Sequence, residues 1–253
     1  MLNHFSYGTS SKTLVLLHGF CENNTCFDFQ VDELQKHFRV ITFDLPGFGL
    51  SEPIAGITFN ELAKKIKTSL DELQIKQCVM IGHSMGGYAT LAFAKMFPHQ
   101  LKAFGLLHST AVDDNDERKE KRKQVINFLQ QNGIEVFLKN FIPTLFFDKI
   151  KNQNTIHFMI SEAMKSPLGG FINACHAMIS RENNLNLLAT TDLPVFFGIG
   201  KHDAFINEID LLNQASLCRQ SEICLLDSSA HCSMYEEPEK LNAAIYNFVD
   251  RVG

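Results

Sequence analysis

The sequence predicts an α/β protein: a mostly parallel sheet of about seven strands, covered on both faces and interrupted by a helical insertion. Three observations carry this reading. Short apolar runs alternate with helical stretches up to Leu107, the alternation stops between about Asp116 and Ala189, where only helical periodicity is found, and it resumes from Val195. A strand–helix rhythm of this kind places parallel strands in the interior and helices on both faces.

The 253 residues fit one α/β domain with an insertion, and no Pro/Gly/Ser-rich stretch supplies a linker between two independent domains. The expected division is a core of residues 1–112 and 191–253, with a helical cap of residues 113–190 inserted before the penultimate strand. A short strand is expected around Asn3–Tyr7, and Thr13–Leu17 (TLVLL) is an apolar run ending at His18-Gly19. Phe29–His37 has helical spacing with Phe29, Val31 and Leu34 available for burial, and Phe38–Phe43 is a strand ending at Asp44-Leu45-Pro46-Gly47. In Phe59–Leu73, Leu62, Ile66, Leu70 and Leu73 recur at intervals of four and three, which marks an amphipathic helix. Gln77–Ile81 is a strand, Gly86–Met96 a helix stopped before Pro98, and Ala103–Leu107 a further strand.

Within the insertion, helices are expected over Arg118–Gln131, with a stop at Asn132-Gly133, and over Ile134–Asn140, Thr155–Lys165, Gly170–Arg181 and Leu185–Ala189. The strand Val195–Ile199, a helix around Ile206–Ala215, the strand Glu222–Leu226 and the helix Pro238–Val249 complete the chain.

Composition excludes several classes. A net charge of −5 argues against a general nucleic-acid binder, because neutralising phosphates takes clustered Lys and Arg. The dense run Asp113–Lys123 mixes both signs and reads as a solvated helix start. No basic segment followed by an apolar one opens the chain, and no apolar stretch is long enough to span a bilayer, so a cytoplasmic protein with no membrane span is expected. Seven cysteines without paired metal-type spacing fit a reducing compartment, with no structural metal and no disulfide framework.

The chemistry concentrates in Gly82-His83-Ser84-Met85-Gly86, a G-x-S-x-G pattern with a strand before it and a helix after it. That context turns the pattern into a nucleophile elbow. Side chains two residues either way from the serine would collide with neighbouring backbone, and the serine oxygen is presented at the positive end of the following helix. A serine hydroxyl needs a base, and the base needs an orienting acid. His231 lies after the last strand and Asp203 after the strand before it, in the chain order Ser, Asp, His. Asp113 and Asp114, which follow the strand preceding the insertion, compete with Asp203 for the acid's place. His202 and His83 read as groups supporting the site from behind.

Through LLHGF, FDLPGFGLS, IGHSMGGY, GIGKHD and AHCSMYEEPE, in this order, the chain resembles the alpha/beta-hydrolases over nearly its whole length. The resemblance implies an alpha/beta-hydrolase fold whose first strand is missing, since only about a dozen residues precede TLVLLHG. It implies an oxyanion hole formed by the backbone N–H groups of Phe20 and Met85, and a bracing role for Asp44 in the turn after its strand. HGF is similar to the smaller, capped members and differs from the HGGG of many lipases. Cys21 is placed to line an acyl pocket.

The implied activity is hydrolysis of a small, largely apolar ester, or a thioester, through an acyl-enzyme on Ser84, with no cofactor. Two alternatives stay open. One is a C–C hydrolase or lyase such as the menaquinone-pathway synthase that expels pyruvate from a cyclohexadiene carboxylate; Arg181, Lys165 or Arg118 would then hold carboxylates. The other is a small-molecule receptor that keeps the triad without turnover. The insertion is rich in Phe and Met, and a minority of these facing the sheet edge would form an apolar substrate cavity.

Overall fold

The apolar runs become strands, and their degree of burial follows their place in the sheet. The computed structural model describes residues 2–253. The first half contains β1 (His4–Tyr7), β2 (Thr13–Leu17), α1 (Asp28–Leu34), β3 (Arg39–Phe43), α2 (Phe59–Glu72), β4 (Cys78–His83), α3 (Met85–Met96) and β5 (Leu101–Leu107). Four helices follow: α4 (Asp116–Phe141), α5 (Gln153–Ala163), α6 (Leu168–Ile179) and α7 (Leu185–Thr190). The chain then returns to the sheet with β6 (Val195–Gly200), α8 (Glu208–Leu217), β7 (Ser221–Leu226), α9 (Ser233–Glu236) and α10 (Pro238–Val252).

Among the described residues, seven strands form one sheet in the order β1-β3-β2-β4-β5-β6-β7. β1 pairs antiparallel with β3, His4 opposite Phe43, and the other neighbours are parallel. β2, β4 and β6 are buried along their whole length, as strands covered on both faces must be. β7, at the edge, alternates instead: Cys224 and Leu226 are buried while Ile223 and Leu225 are exposed. Successive residues of β6 feed opposite layers. Phe196 packs with Phe38 and Phe248 on the side covered by α1 and α10, and Phe197 joins Phe93 and Phe104 on the other side.

Helix starts follow local chemistry. Thr58 and Glu61 form a reciprocal capping box at the start of α2, and Asn115 caps α4 by accepting the Arg118 N–H. Two details differ from the sequence expectation, at α1 and at α9. Phe29 is exposed, because α1 turns Val31 and Leu34 inward. The Asn132-Gly133 stop is present: Gly133 adopts φ 77°, ψ 173°, outside the helical region, and two helical segments meet there at a kink within α4. The short α9 was not anticipated. No helix among the described residues is long and apolar enough to cross a membrane.

The four inserted helices lie between β5 and β6 in the chain and meet the core at two kinds of contact. The first is backbone on backbone: a Cβ added to Gly170 of α6 would sit 2.1 Å from the Gly47 carbonyl oxygen, so neither glycine can carry a side chain without separating the two segments. The second is aromatic. The Phe20 ring packs against Phe171, Phe137 and Phe141 of the insertion at centroid separations of 5.9, 6.2 and 6.1 Å.

Candidate active site

In open parallel sheets the functional crevice forms at the carboxyl ends of the strands, where the strand order reverses. Here that point lies between β2 and β4: the chain passes outward from β2 to β3 and then returns to β4. β2 therefore delivers His18-Gly19-Phe20, and β4 delivers Ser84, to adjacent places on the same edge.

Ser84 sits at φ 47°, ψ −112°, a strained backbone for a residue with a side chain, between the last residue of β4 and the first of α3. The neighbouring glycines are required by contact. A Cβ on Gly82 would lie 2.2 Å from the Gly86 oxygen, and one on Gly86 would lie 2.2 Å from the Leu17 oxygen. The turn is held by the Ser84 N–H donating to the Leu107 carbonyl at 2.9 Å and by the Ser109 hydroxyl donating to the Ser84 carbonyl at 2.7 Å. Met85 opens α3, so its N–H is one of the donors a helix leaves without an internal acceptor. The Phe20 N–H likewise meets no backbone acceptor among the described residues.

The loop after β6 carries Asp203 and the loop after β7 carries His231. His231 Nδ1 lies 2.7 Å from Asp203 Oδ2. The other oxygen of Asp203 accepts the N–H groups of Phe205 and Ile206 at 2.8 and 3.1 Å, which fixes the carboxylate. Burial alone would raise this carboxyl, but the imidazoles of His231 and His108 outweigh it and hold Asp203 well below the usual carboxylate range. With Nδ1–H directed at Asp203, His231 keeps the Nε2 lone pair for a proton. Ser84 and His231 line one cavity, and contacts of this kind often tighten only when substrate is present.

Two further histidines complete the cluster. His108, at the end of β5 with φ 47°, is fully buried; its Nε2 lies 2.7 Å from the Ser233 hydroxyl and its Nδ1 3.3 Å from Asp203 Oδ2, without the alignment of a hydrogen bond. Burial lowers its titration point to about 4, so it is neutral. His108, Asp203 and His231 offer three ligand atoms within 4.8 Å of one another. Both Asp203 oxygens already accept hydrogen bonds, so binding a metal would require dismantling them.

His83 differs in charge state. Its Nδ1 lies 2.9 Å from the buried Glu22 carboxylate and its Nε2 2.8 Å from the His231 carbonyl oxygen, so both ring nitrogens face acceptors and both must donate. Burial opposes the charge, yet Glu22 prevails and raises the His83 titration point. Burial likewise pushes Glu22 up, but His83 and the Gly19 N–H at 2.7 Å bring it down to about 2. The result is a buried imidazolium–carboxylate pair. It ties the turn before Phe20 to the main chain of His231, which is held from the other side by its own N–H to the Leu145 carbonyl at 2.9 Å.

The cavity these groups share has a volume of about 410 Å³. Phe137, Phe141 and Met178 of the insertion line it, while Phe146, Phe171 and Met159 are packed in the interior and Phe128, Phe147, Phe158 and Met164 are exposed.

Residues 12–238 match the sequence model of the alpha/beta hydrolase fold family. The chain belongs to the alpha/beta-hydrolase family. The structure of a thermophilic esterase from Thermogutta terrifontis superposes with a TM-score of 0.94 at 28% identity, covering 99% of this chain and 93% of that one. Among curated proteins, 3-oxoadipate enol-lactonase 1 of Acinetobacter baylyi is 27% identical over 227 residues, 88% of this chain and 83% of the relative. A 2-hydroxy-6-oxononadienedioate/2-hydroxy-6-oxononatrienedioate hydrolase of Pseudomonas is 24% identical over 255 residues, 96% and 90% of the two chains.

Within this alpha/beta-hydrolase, several side chains lie where the sequence did not place them. Cys21 is buried away from the cavity, and Cys175 of α6 lines it instead. His202 is exposed and stacked on Phe147 at 3.7 Å, so it does not support the site. Asp114 is buried between Arg122 and Arg181, and Asp113 accepts from Asn183 at 2.8 Å; both are thereby committed elsewhere. Asp44 braces its turn by accepting from Asn24 and from the Leu50 N–H, each at 2.9 Å. Of the three cations considered for a carboxylate, Arg118 lines the cavity, Lys165 is exposed and pairs with Glu162, and Arg181 is buried against Asp114 and does not line the cavity. Glu22 and His108 escaped sequence reasoning. Glu22 carries a signal, as the one acidic residue in the tight segment after a fully apolar strand, whereas His108 carries none beyond its place at a strand end.

Proposed function

We propose that the protein is a serine hydrolase that cleaves the carboxylic ester, or thioester, of a small and largely apolar substrate through an acyl-enzyme on Ser84. The observation that carries this reading is the convergence in one cavity of a strained serine at a helix N-terminus and a histidine bonded to a buried aspartate, beside two backbone N–H groups without backbone acceptors. Ser84 Oγ attacks the carbonyl carbon while His231 Nε2 takes its proton, and Asp203 stabilises the imidazolium that forms. The N–H groups of Phe20 and Met85 receive the oxyanion, each worth a few kcal/mol in such sites. His231 returns the proton to the leaving alcohol or thiol, and water repeats the sequence to release the acid.

Ser84→Ala decides the matter. The variant folds, loses turnover of short-chain aryl esters and no longer reacts with a fluorophosphonate; activity retained by it sinks the assignment. A second reading is C–C bond cleavage by the same residues, as the named activity of the Pseudomonas relative would suggest; the cations lining the cavity favour keeping it. An acyl-enzyme trapped with an ester substrate supports the first reading. A receptor without turnover is excluded by repeated turnover.

A further inference from the structure

Three cations line the same cavity as Ser84: Arg118, Lys121 and Arg122, spaced so that they share one face of the first turns of α4. Their partners differ. Lys121 pairs at 2.7 Å with Glu117, both well exposed, and this contact is weak. Arg122 binds Asp114 through Nε, but Asp114 also receives Arg181 Nη1 at 2.7 Å, so one fully buried carboxylate serves two guanidinium groups. Arg181 is further committed, by Nη2 to the Val112 carbonyl at 2.7 Å and by its stacking 4.0 Å over the Tyr88 ring. Arg118 makes no ion pair among the described residues and spends one donor, Nη2 to the Phe205 carbonyl at 2.8 Å.

The charges therefore do not close. Asp114 against Arg122 and Arg181 leaves one positive charge in excess, and Arg118 adds another. The one acidic residue lining the cavity, Glu22, is neutralised by His83, and the ionised Asp203 behind His231 offsets one of the two, so a net positive charge remains. Arg118 is half-buried and carries no carboxylate partner, and the guanidinium fork suits a planar carboxylate held by two parallel hydrogen bonds. The cations come from the part of α4 before the Gly133 kink, and the apolar Phe137 and Phe141, which line the same cavity, come from the part after it.

We infer that the cavity is built for a substrate with an apolar body and a carboxylate remote from the scissile carbonyl, and that Arg118 and Arg122 bind that carboxylate. This rests on the hydrolase reading above for the reaction, but the subsite stands on the charge imbalance alone. Lys121, at the rim, draws the anion toward the opening.

The test compares mono-4-nitrophenyl glutarate with 4-nitrophenyl pentanoate, which have acyl chains of the same length and differ at the terminus. The expected result is a kcat/KM at least about tenfold higher for the charged ester, a ratio that falls by about tenfold or more in Arg118→Met and in Arg122→Met, partly kept in Arg118→Lys, and reduced by salt. Preference for the neutral ester, or a ratio unmoved by both methionine substitutions, overturns the inference. Should neither ester turn over, the hydrolase reading is at fault, and calorimetry with glutarate decides the subsite separately. Glutarate binding weakened about tenfold by Arg118→Met upholds it, whereas no binding to the unsubstituted protein refutes it.

Discussion

Two buried carboxylate–histidine pairs flank Ser84, and they are built for different purposes. Glu22–His83 is closed: every ring nitrogen and the paired carboxylate oxygen has a partner, and the bonds run to backbone, the Gly19 N–H and the His231 carbonyl. Asp203–His231 is open on one side, with a fully satisfied carboxylate and an imidazole whose second nitrogen faces the cavity. In the first the charge is already present; in the second it forms only when a proton is taken up. A closed ion pair holds shape, and the open one is the pair the proposed reaction would use.

The largest effect that would break this contrast is in rate. Asp203→Asn should lower kcat by about four orders of magnitude, because the amide favours the wrong imidazole tautomer, while the protein still folds at a somewhat lower urea midpoint; near-normal turnover would place the orienting acid elsewhere. Glu22→Gln should show the reverse balance. It leaves a buried imidazolium without its counter-ion and should cost about 3–5 kcal/mol of stability, measured by urea unfolding, with most of it recovered when His83→Gln is added. A Glu22→Gln protein of unchanged stability would mean that the pair is not ionised.

The smallest effect concerns His108. The unfolded chain has an ordinary imidazole near 6.5, which takes up a proton that the folded protein refuses down to about 4. Stability from this site is therefore complete above pH ~6.5 and is lost as pH falls toward 4. His83 has the opposite sign: its raised titration point makes its contribution complete below pH ~6.5 and lost as pH rises through that point. His108→Asn should flatten the acid limb of the stability–pH curve between 6.5 and 4, and an unaltered slope would assign that limb to other groups.

The same contrast explains what could be read from the sequence. The alternation of strands and helices, the break at the insertion and the Ser84 turn were legible because each is a local pattern, enforced by burial period or by steric demands over five residues. The seven-stranded sheet followed from them. Glu22–His83 was half legible: His83 stood out inside the elbow, but its partner lies 61 residues away and nothing periodic links them. His108 and Arg122 depend on where a strand end and a helix face come to rest, which is settled by packing. The misplacement of Cys21 and His202 has the same origin. Sequence adjacency to Phe20 or Asp203 does not fix the direction of a side chain, and Cys21, at φ 66°, turns into the core.

The seam at Gly47 and Gly170 bears on substrate size. Bare main chain rests on bare main chain there, so the roof has no compressible layer at that support. Cys175 and Met178, on the same helix as Gly170, form part of the ceiling. A single methyl at either glycine would act as a shim, tilting that ceiling and enlarging the chamber from a point outside it.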